Sequence, residues 1–297
     1  MGTASVLFLA TAGLLVGTLE AAPADPWQFV GTAYTDIRSA SSDDDDGSNR
    51  GLEPSYGGGI SASRTFELDE DRVLGLSFGT SAERFYDAPE SNRLLFDADP
   101  YLAIKLDHGM LRELRFFGEA THALDDHDWV FSRGRAGSAL RLQLAPRNTL
   151  QLRVRGGYRE QNDADTFRGY DQGEFLLDGT YNWRSEDSVN RITAIPYYER
   201  RDAEASKYSY DEFGFRFIGR HNLDEKVSLV LRANTFARDY DNGLREDDRL
   251  RVTVGSDWDV REKTTIGAFA GYERNWSTRE DADYGGPVVG IALTQGF

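Results

Sequence analysis

The chain has 297 residues, 34 of them Lys or Arg and 50 Asp or Glu, for a formal charge of −16 at pH 7. So acidic a chain is a poor general binder of nucleic acid, and without Cys it has no disulfide framework, thiolate metal site or Cys nucleophile. At 39% hydrophobic and 28% charged it is too polar for a helical membrane protein, while 12% aromatics and 30 Gly argue against a disordered chain.

In chain order, residues 5–17 (SVLFLATAGLLVG) form the one long apolar run, too short to span a bilayer. Ala22-Pro23-Ala24 follows as a small-x-small cleavage pattern, so 1–24 are expected to be a secretion signal and 25–297 the mature chain. From residue 27 onward apolar and polar residues alternate with period two. Strands are predicted over 27–37, 54–66, 72–86, 93–106, 111–124, 134–144, 149–161, 170–183, 189–201, 208–220, 227–238, 248–260, 264–276 and 285–297.

The stretch 42–53 between the first two strands puts Asp44, Asp46, Gly47 and Glu53 on calcium-loop positions, but Ser42 and Asn49 break the template and no helix flanks it. It is expected to be a solvated or lipopolysaccharide-cation-bridging loop, with no dedicated metal site. Asp239, Asp241 and Asp247 around Gly243 form a looser acidic group. In 93–106, Leu94, Phe96, Ala98, Pro100, Leu102, Ile104 and Leu106 share one face, and Asp97, Asp99, Tyr101 and Lys105 the other. In 149–158, Leu150, Leu152, Val154 and Tyr158 oppose Gln151, Arg153, Arg155 and Gly157. In 249–260, Leu250, Val252, Val254, Trp258 and Val260 oppose Arg249, Arg251, Thr253, Asp257 and Asp259.

Dyads this long, with a charged face opposite the apolar one, fit strands that cross a membrane with their apolar face outward, and only a closed barrel satisfies such strands in lipid. The fold class is therefore all-β, a single antiparallel up-and-down transmembrane β-barrel of fourteen strands. Merging or splitting a weak segment would give twelve or sixteen. Short connections (ELDED, DHGM, PRN, RSEDS, NLDEK, REK) alternate with longer ones, which puts the short turns and both termini on the periplasmic side. Trp27, Phe66, Trp183, Trp258 and Phe297 then form one interface belt, and Tyr56, Tyr158, Tyr198 and Trp276 the other.

The charged face would line the lumen. Arg141, Arg153, Arg155, Arg159, Arg191, Arg216, Arg220, Arg232, Arg238, Arg249 and Arg251 point inward by alternation. So do Asp97, Asp99, Glu113, Glu119, Glu174, Asp178, Glu212, Asp257, Asp259 and Glu273. If the PRN turn pairs Leu144 with Leu150, Arg141 stands opposite Arg153. Arginine outnumbers lysine 30 to 4, and its forked donors suit either a track for anionic sugars or ion pairs that brace the wall. Of the histidines, His108 and His221 lie in short turns and His122 near an outer loop. His127, within DDHD, is the one candidate base for a rim hydrolase, and no Ser or partner motif accompanies it.

The last strand, PVVGIALTQGF, carries Val289, Ile291, Leu293 and terminal Phe297. This ending resembles the assembly signal of bacterial outer-membrane barrels, and implies the barrel assembly machinery, outer-membrane lipid and lipopolysaccharide as partners. The final fifty residues resemble more narrowly the β-barrel porins encoded beside exopolysaccharide gene clusters, with Arg245, Asp247, Tyr272, Arg274, Ser277 and Tyr284 on the matching positions. The barrels of surface-lipoprotein assembly modifiers share the terminal pattern. The resemblance implies an outer-membrane channel or export portal passing polar or anionic saccharides, with no cofactor and no catalysis. An assembly or anchoring barrel for lipoprotein or polysaccharide machinery is the alternative, and a rim hydrolase a third.

Overall fold

The structure is a computed structural model and describes residues 26–39, 52–126, 128–162, 168–241, 243 and 245–297. The expected signal, most of the acidic stretch at 42–53 and His127 lie outside the described residues. Fifteen strand segments follow one another: β1 (Gln28–Ser39), β2 (Leu52–Glu67), β3 (Arg72–Phe85), β4 (Arg93–Ala98), β5 (Tyr101–His108), β6 (Leu111–Leu124), β7 (Trp129–Ala145) and β8 (Asn148–Gln161). Then come β9 (Gln172–Arg184), β10 (Asn190–Ala203), β11 (Tyr210–Asn222), β12 (Val227–Tyr240), β13 (Glu246–Arg261), β14 (Thr264–Ser277) and β15 (Tyr284–Gly296).

Each strand pairs antiparallel with its neighbours, and β15 returns to β1 in register from Val30↔Gly296 to Asp36↔Gly290. The ladder is closed, so no edge is left unpaired in hydrocarbon. β4 and β5 are two halves of one stave, both lying between β3 and β6. Pro100 has no N–H to give, yet Asp99 keeps the ladder by exchanging backbone bonds with Ser77 (2.8 and 3.3 Å). The barrel therefore has the fourteen staves predicted.

Outward positions are apolar. Ile60, Phe116, Leu152, Phe213, Val254 and Ile291 are all exposed, as alternation requires of a surface that meets lipid. Tyr56, Tyr158 and Trp276 stand exposed toward the long connections, Trp258 and Phe297 toward the short turns. Both described ends lie at the short-turn side, where the Phe297 N–H donates to the Phe29 carbonyl at 2.9 Å.

Acidic residues in the short turns serve the backbone. Asp69 Oδ1 accepts from Asp71 N and Arg72 N (3.1 and 2.8 Å), and Asp224 Oδ1 from Lys226 N and Val227 N (2.7 and 2.8 Å). Inside the barrel, Tyr34, Tyr101 and Tyr197 each lie over the glycine paired with them on the next strand, Gly57, Gly75 and Gly214. A β-carbon at any of the three would overlap the ring, so glycine is what lets a lumenal aromatic lie flat on the wall.

Candidate functional site

The lumen is built from every second residue of each stave. Glu174, Asp178, Glu199, Glu212, Arg238, Arg249 and Glu273 are buried, while their sequence neighbours Phe175, Leu177, Phe213, Leu250 and Tyr272 are exposed outside. All the predicted lumenal residues share the inward parity of these buried charges, including Arg153, Arg155 and Arg159 on β8, Arg191 on β10, Arg216 on β11, Arg232 on β12, Arg249 and Arg251 on β13, and Asp97 on β4. Asp99 lies in the link between β4 and β5.

Toward the long connections these charges interlock. Arg135 donates from Nε to Glu174 at 2.5 Å, Arg155 to Glu119 at 2.5 Å, and Arg153 to Asp178 at 2.9 Å. Arg201 lies 2.6 Å from Glu199. Arg238 bonds Glu212 through two nitrogens (2.8 and 2.5 Å), and the Tyr197 hydroxyl donates to the same carboxylate at 2.7 Å. Glu273, with none of its surface exposed, takes Arg249 at 2.5 Å, Arg251 at 3.1 Å and the Tyr284 hydroxyl at 3.0 Å. Arg38 pairs with Asp36 and, at 2.5 Å, with Glu83. Asp97 accepts from the Thr121 hydroxyl at 2.8 Å.

Arginine planes also stack on lumenal rings: Arg216 on Tyr197 (4.6 Å), Arg115 on Tyr101 (4.3 Å), Arg159 on Phe131 (4.0 Å) and Arg238 on Tyr210 (4.1 Å). Some buried donors stay unpaired. Among the described residues, the buried Nε atoms of Arg133, Arg155 and Arg216 have no hydrogen-bond partner.

One expected juxtaposition is wrong. Arg141 pairs with Gln151, and Arg153 faces Ala139. The turn pairs Ala145 with Asn148, and a bulge between Gln143 and Ala145 slips the register relative to a Leu144–Leu150 pairing. Arg141 instead stands beside Glu113 across β6.

Several lumenal charges escaped the sequence reading. Arg133 and Arg135 share the face of Arg141; Arg133 lies before the predicted start of the strand at 134, and Arg135 lies inside it but is flanked by Gly134 and Ala136, which give little apolar contrast to mark its face. Arg38, Arg201 and Arg245 lie at outer strand ends, beyond or at the limits predicted. The signal that could have found Arg135 is Glu119, which stands opposite it in register.

The three aspartates near Gly243 do not converge. Asp247 is held by Arg245 (2.8 Å) and the Ser277 hydroxyl (2.6 Å), while Asp241 takes Arg200 at 2.6 and 2.7 Å. That guanidinium holds the Asp241 carboxyl below the usual carboxylate range. In a short turn, the Ser185 hydroxyl and the Val189 N–H do the same for Asp187. No group of three or more His, Cys, Asp or Glu that could hold a metal occurs among the described residues. His122 is exposed, its Nδ1 2.8 Å from the Ser132 hydroxyl.

The residues that carried the narrower resemblance lie on β13–β15 and their outer rim, where Arg245 and Ser277 both bond Asp247 and Arg274 pairs with Asp283. No family model matches the chain, and no curated protein matches it in sequence. In fold it is similar to the outer membrane channel DcaP of Acinetobacter baumannii, with 11% identity over 95% of this chain and 100% of that one and a TM-score of 0.55. It is similar also to OmpT, an outer membrane protein of Vibrio cholerae (10% identity, 95% and 100% covered, TM-score 0.53), and to an outer membrane channel from Pseudomonas putida F1 (12% identity, 95% and 98% covered, TM-score 0.51). At these identities the likeness is one of fold. With its closed ladder and apolar exterior, the chain is a fourteen-stave β-barrel with the fold of bacterial outer-membrane channels.

Proposed function

We propose that the barrel is a channel for polar, anionic solutes, with saccharides bearing carboxylate or phosphate as the favoured class. The observation that supports this reading best is the sidedness of the lumen. Along β7–β13 the inward positions carry arginine from one mouth to the other, among them Arg133, Arg141, Arg153, Arg216, Arg232 and Arg251. On the facing wall of β1–β3, Tyr34, Asp36, Arg38 and Glu83 occupy the outer part, and below them the inward positions turn small with Thr32, Gly59, Ser61, Ser63, Ser77, Gly79 and Ser81. Guanidinium groups on one side and little bulk below the rim on the other suit a hydrated anion moving past fixed positive charge.

A second reading, a braced and non-conducting barrel that anchors surface machinery, draws on the burial of Arg249 and Glu273 and on the dense ion pairing of the outer half. Flux decides between them. Vesicles carrying the protein should release a labelled uronic acid trimer faster than a neutral glucose trimer. Retention of both trimers would favour the anchoring barrel. The hydrolase reading rests on His127, which lies outside the described residues.

A further inference from the structure

At the short-turn mouth, three arginines stand side by side on consecutive staves. Arg191 on β10 is in register with Arg184 on β9 and with Arg220 on β11. Both ladders run without a register shift, so all three share the inward parity of Glu174, Glu199 and Glu212. Arg232 lies diagonally next to Arg220, since its partner on β11 is Ile218.

Like charges directly opposite across a ladder repel, and such a row persists only where counter-charge answers it. The protein supplies little. Asp257 reaches Arg220 at 2.5 Å and Arg232 at 4.0 Å. Among the described residues, no carboxylate comes within 4.0 Å of Arg184 or Arg191. Of the acids of the adjoining turns, Glu186 is engaged with Arg147 (3.4 Å), Asp187 with Ser185 and the Val189 N–H (2.5 and 3.0 Å), and Asp224 with its own turn, while Glu225 is exposed and more than 4.0 Å from any of the three arginines. Arg191 is exposed to the lumen.

We infer that Arg184, Arg191 and Arg220 form a docking site for a multivalent anion, one with two or more carboxylate or phosphate groups about 5 Å apart, the spacing of neighbouring strands. One anionic group bridges Arg184 and Arg191, and a second takes the free edge of Arg191 together with Arg220, which already shares Asp257. A single small anion can neutralise only one of these intervals, so the site favours chains of charge over isolated ions. It deepens the channel reading by giving it an entry point at the periplasmic mouth, and rests on that reading for its role but not for its occupancy.

Calorimetric titration of the detergent-solubilised full chain tests it, with inorganic tripolyphosphate and a uronic acid trimer as probes and orthophosphate as the single-group comparator. The wild type is expected to bind both oligoanions more tightly than orthophosphate. Arg184→Gln with Arg191→Gln should weaken both by about tenfold or more, while Arg72→Gln, beside Asp69 in the distant β2–β3 turn, should leave them unchanged. If only tripolyphosphate binds, the site is a phosphate site; if only the trimer binds, it is a carboxylate site. Each of these two results upholds the docking site. Unchanged affinity in the double variant, or no binding of either oligoanion, overturns it. Bilayer recording separates the two claims. A conducting barrel without arginine-dependent oligoanion binding refutes the site alone, and a binding barrel that conducts nothing refutes the channel alone.

Discussion

Arg135 on β7 reaches Glu174 on β9 across the intervening stave, and it does so directly over Gly157, the residue paired with both. A β-carbon there would lie 2.6 Å from Arg135 Cγ and would also overlap the Gly134 carbonyl. Gly157→Ala should therefore cost about 1–3 kcal/mol by overpacking. Gly156→Ala, on the lipid face with only an ordinary 3.6 Å contact, should be close to neutral. Urea unfolding in phospholipid vesicles, followed by tryptophan fluorescence, measures both. Equal effects at the two glycines would refute the bridge as a constraint on the wall.

Arg153 and Arg155 face the lumen on adjacent inward positions of β8, Arg155 tied to Glu119 and Arg153 to Asp178. Replacing both with Ala leaves Glu119 and Asp178 without those partners, so the local field should turn from positive to negative. Anion preference in planar bilayers should fall by about threefold or more, with conductance retained. Unaltered selectivity would move the filter to another level of the barrel.

The Arg200–Asp241 clasp on the outer rim predicts a pH signature. The folded carboxyl is held down by the guanidinium, so its contribution is complete above the ordinary Asp value of about 3.9 and is lost as pH falls through the lower folded value. Carbon NMR titration of labelled Asp should find Asp241 titrating below that ordinary value, and Arg200→Gln should return it there. Neutral-pH stability of the clasp should not vary between pH 6 and 8, where neither group titrates.

Phe297 closes the last stave onto β1 through its N–H to Phe29, and its ring stands 3.5 Å from where a Gly31 β-carbon would be. Phe297→Ala keeps the backbone bond and removes the exposed ring, so the finished barrel should retain its stability while its yield in the outer membrane drops severalfold. Heat-modifiable electrophoresis of isolated membranes, beside refolding in detergent, distinguishes the two. Loss of stability in the refolded protein would assign the ring to closure instead of assembly.

The staves were legible because one face of each must meet hydrocarbon, which leaves alternation little freedom; β6 runs over Leu111–Leu124 as predicted. Strand ends were not. β7 begins at Trp129 because its outer end packs Val130 and Phe131 against Leu95 and Ala123 inside the barrel, a cluster that alternation alone does not mark. Lumenal membership could be read from parity, but partnership could not. Glu119 answers Arg155 and Glu174 answers Arg135, both two strands away and 36 and 39 residues apart in sequence. The slip at Gln143–Ala145 likewise moved Arg153 opposite Ala139 without altering the pattern of either strand.

The channel claim is tested most directly by the reversal potential of the purified barrel in a planar bilayer under a potassium chloride gradient. An arginine-lined lumen predicts a conducting pore whose reversal potential lies toward that of chloride. A potential toward potassium, or an intact barrel that passes no current, would contradict it.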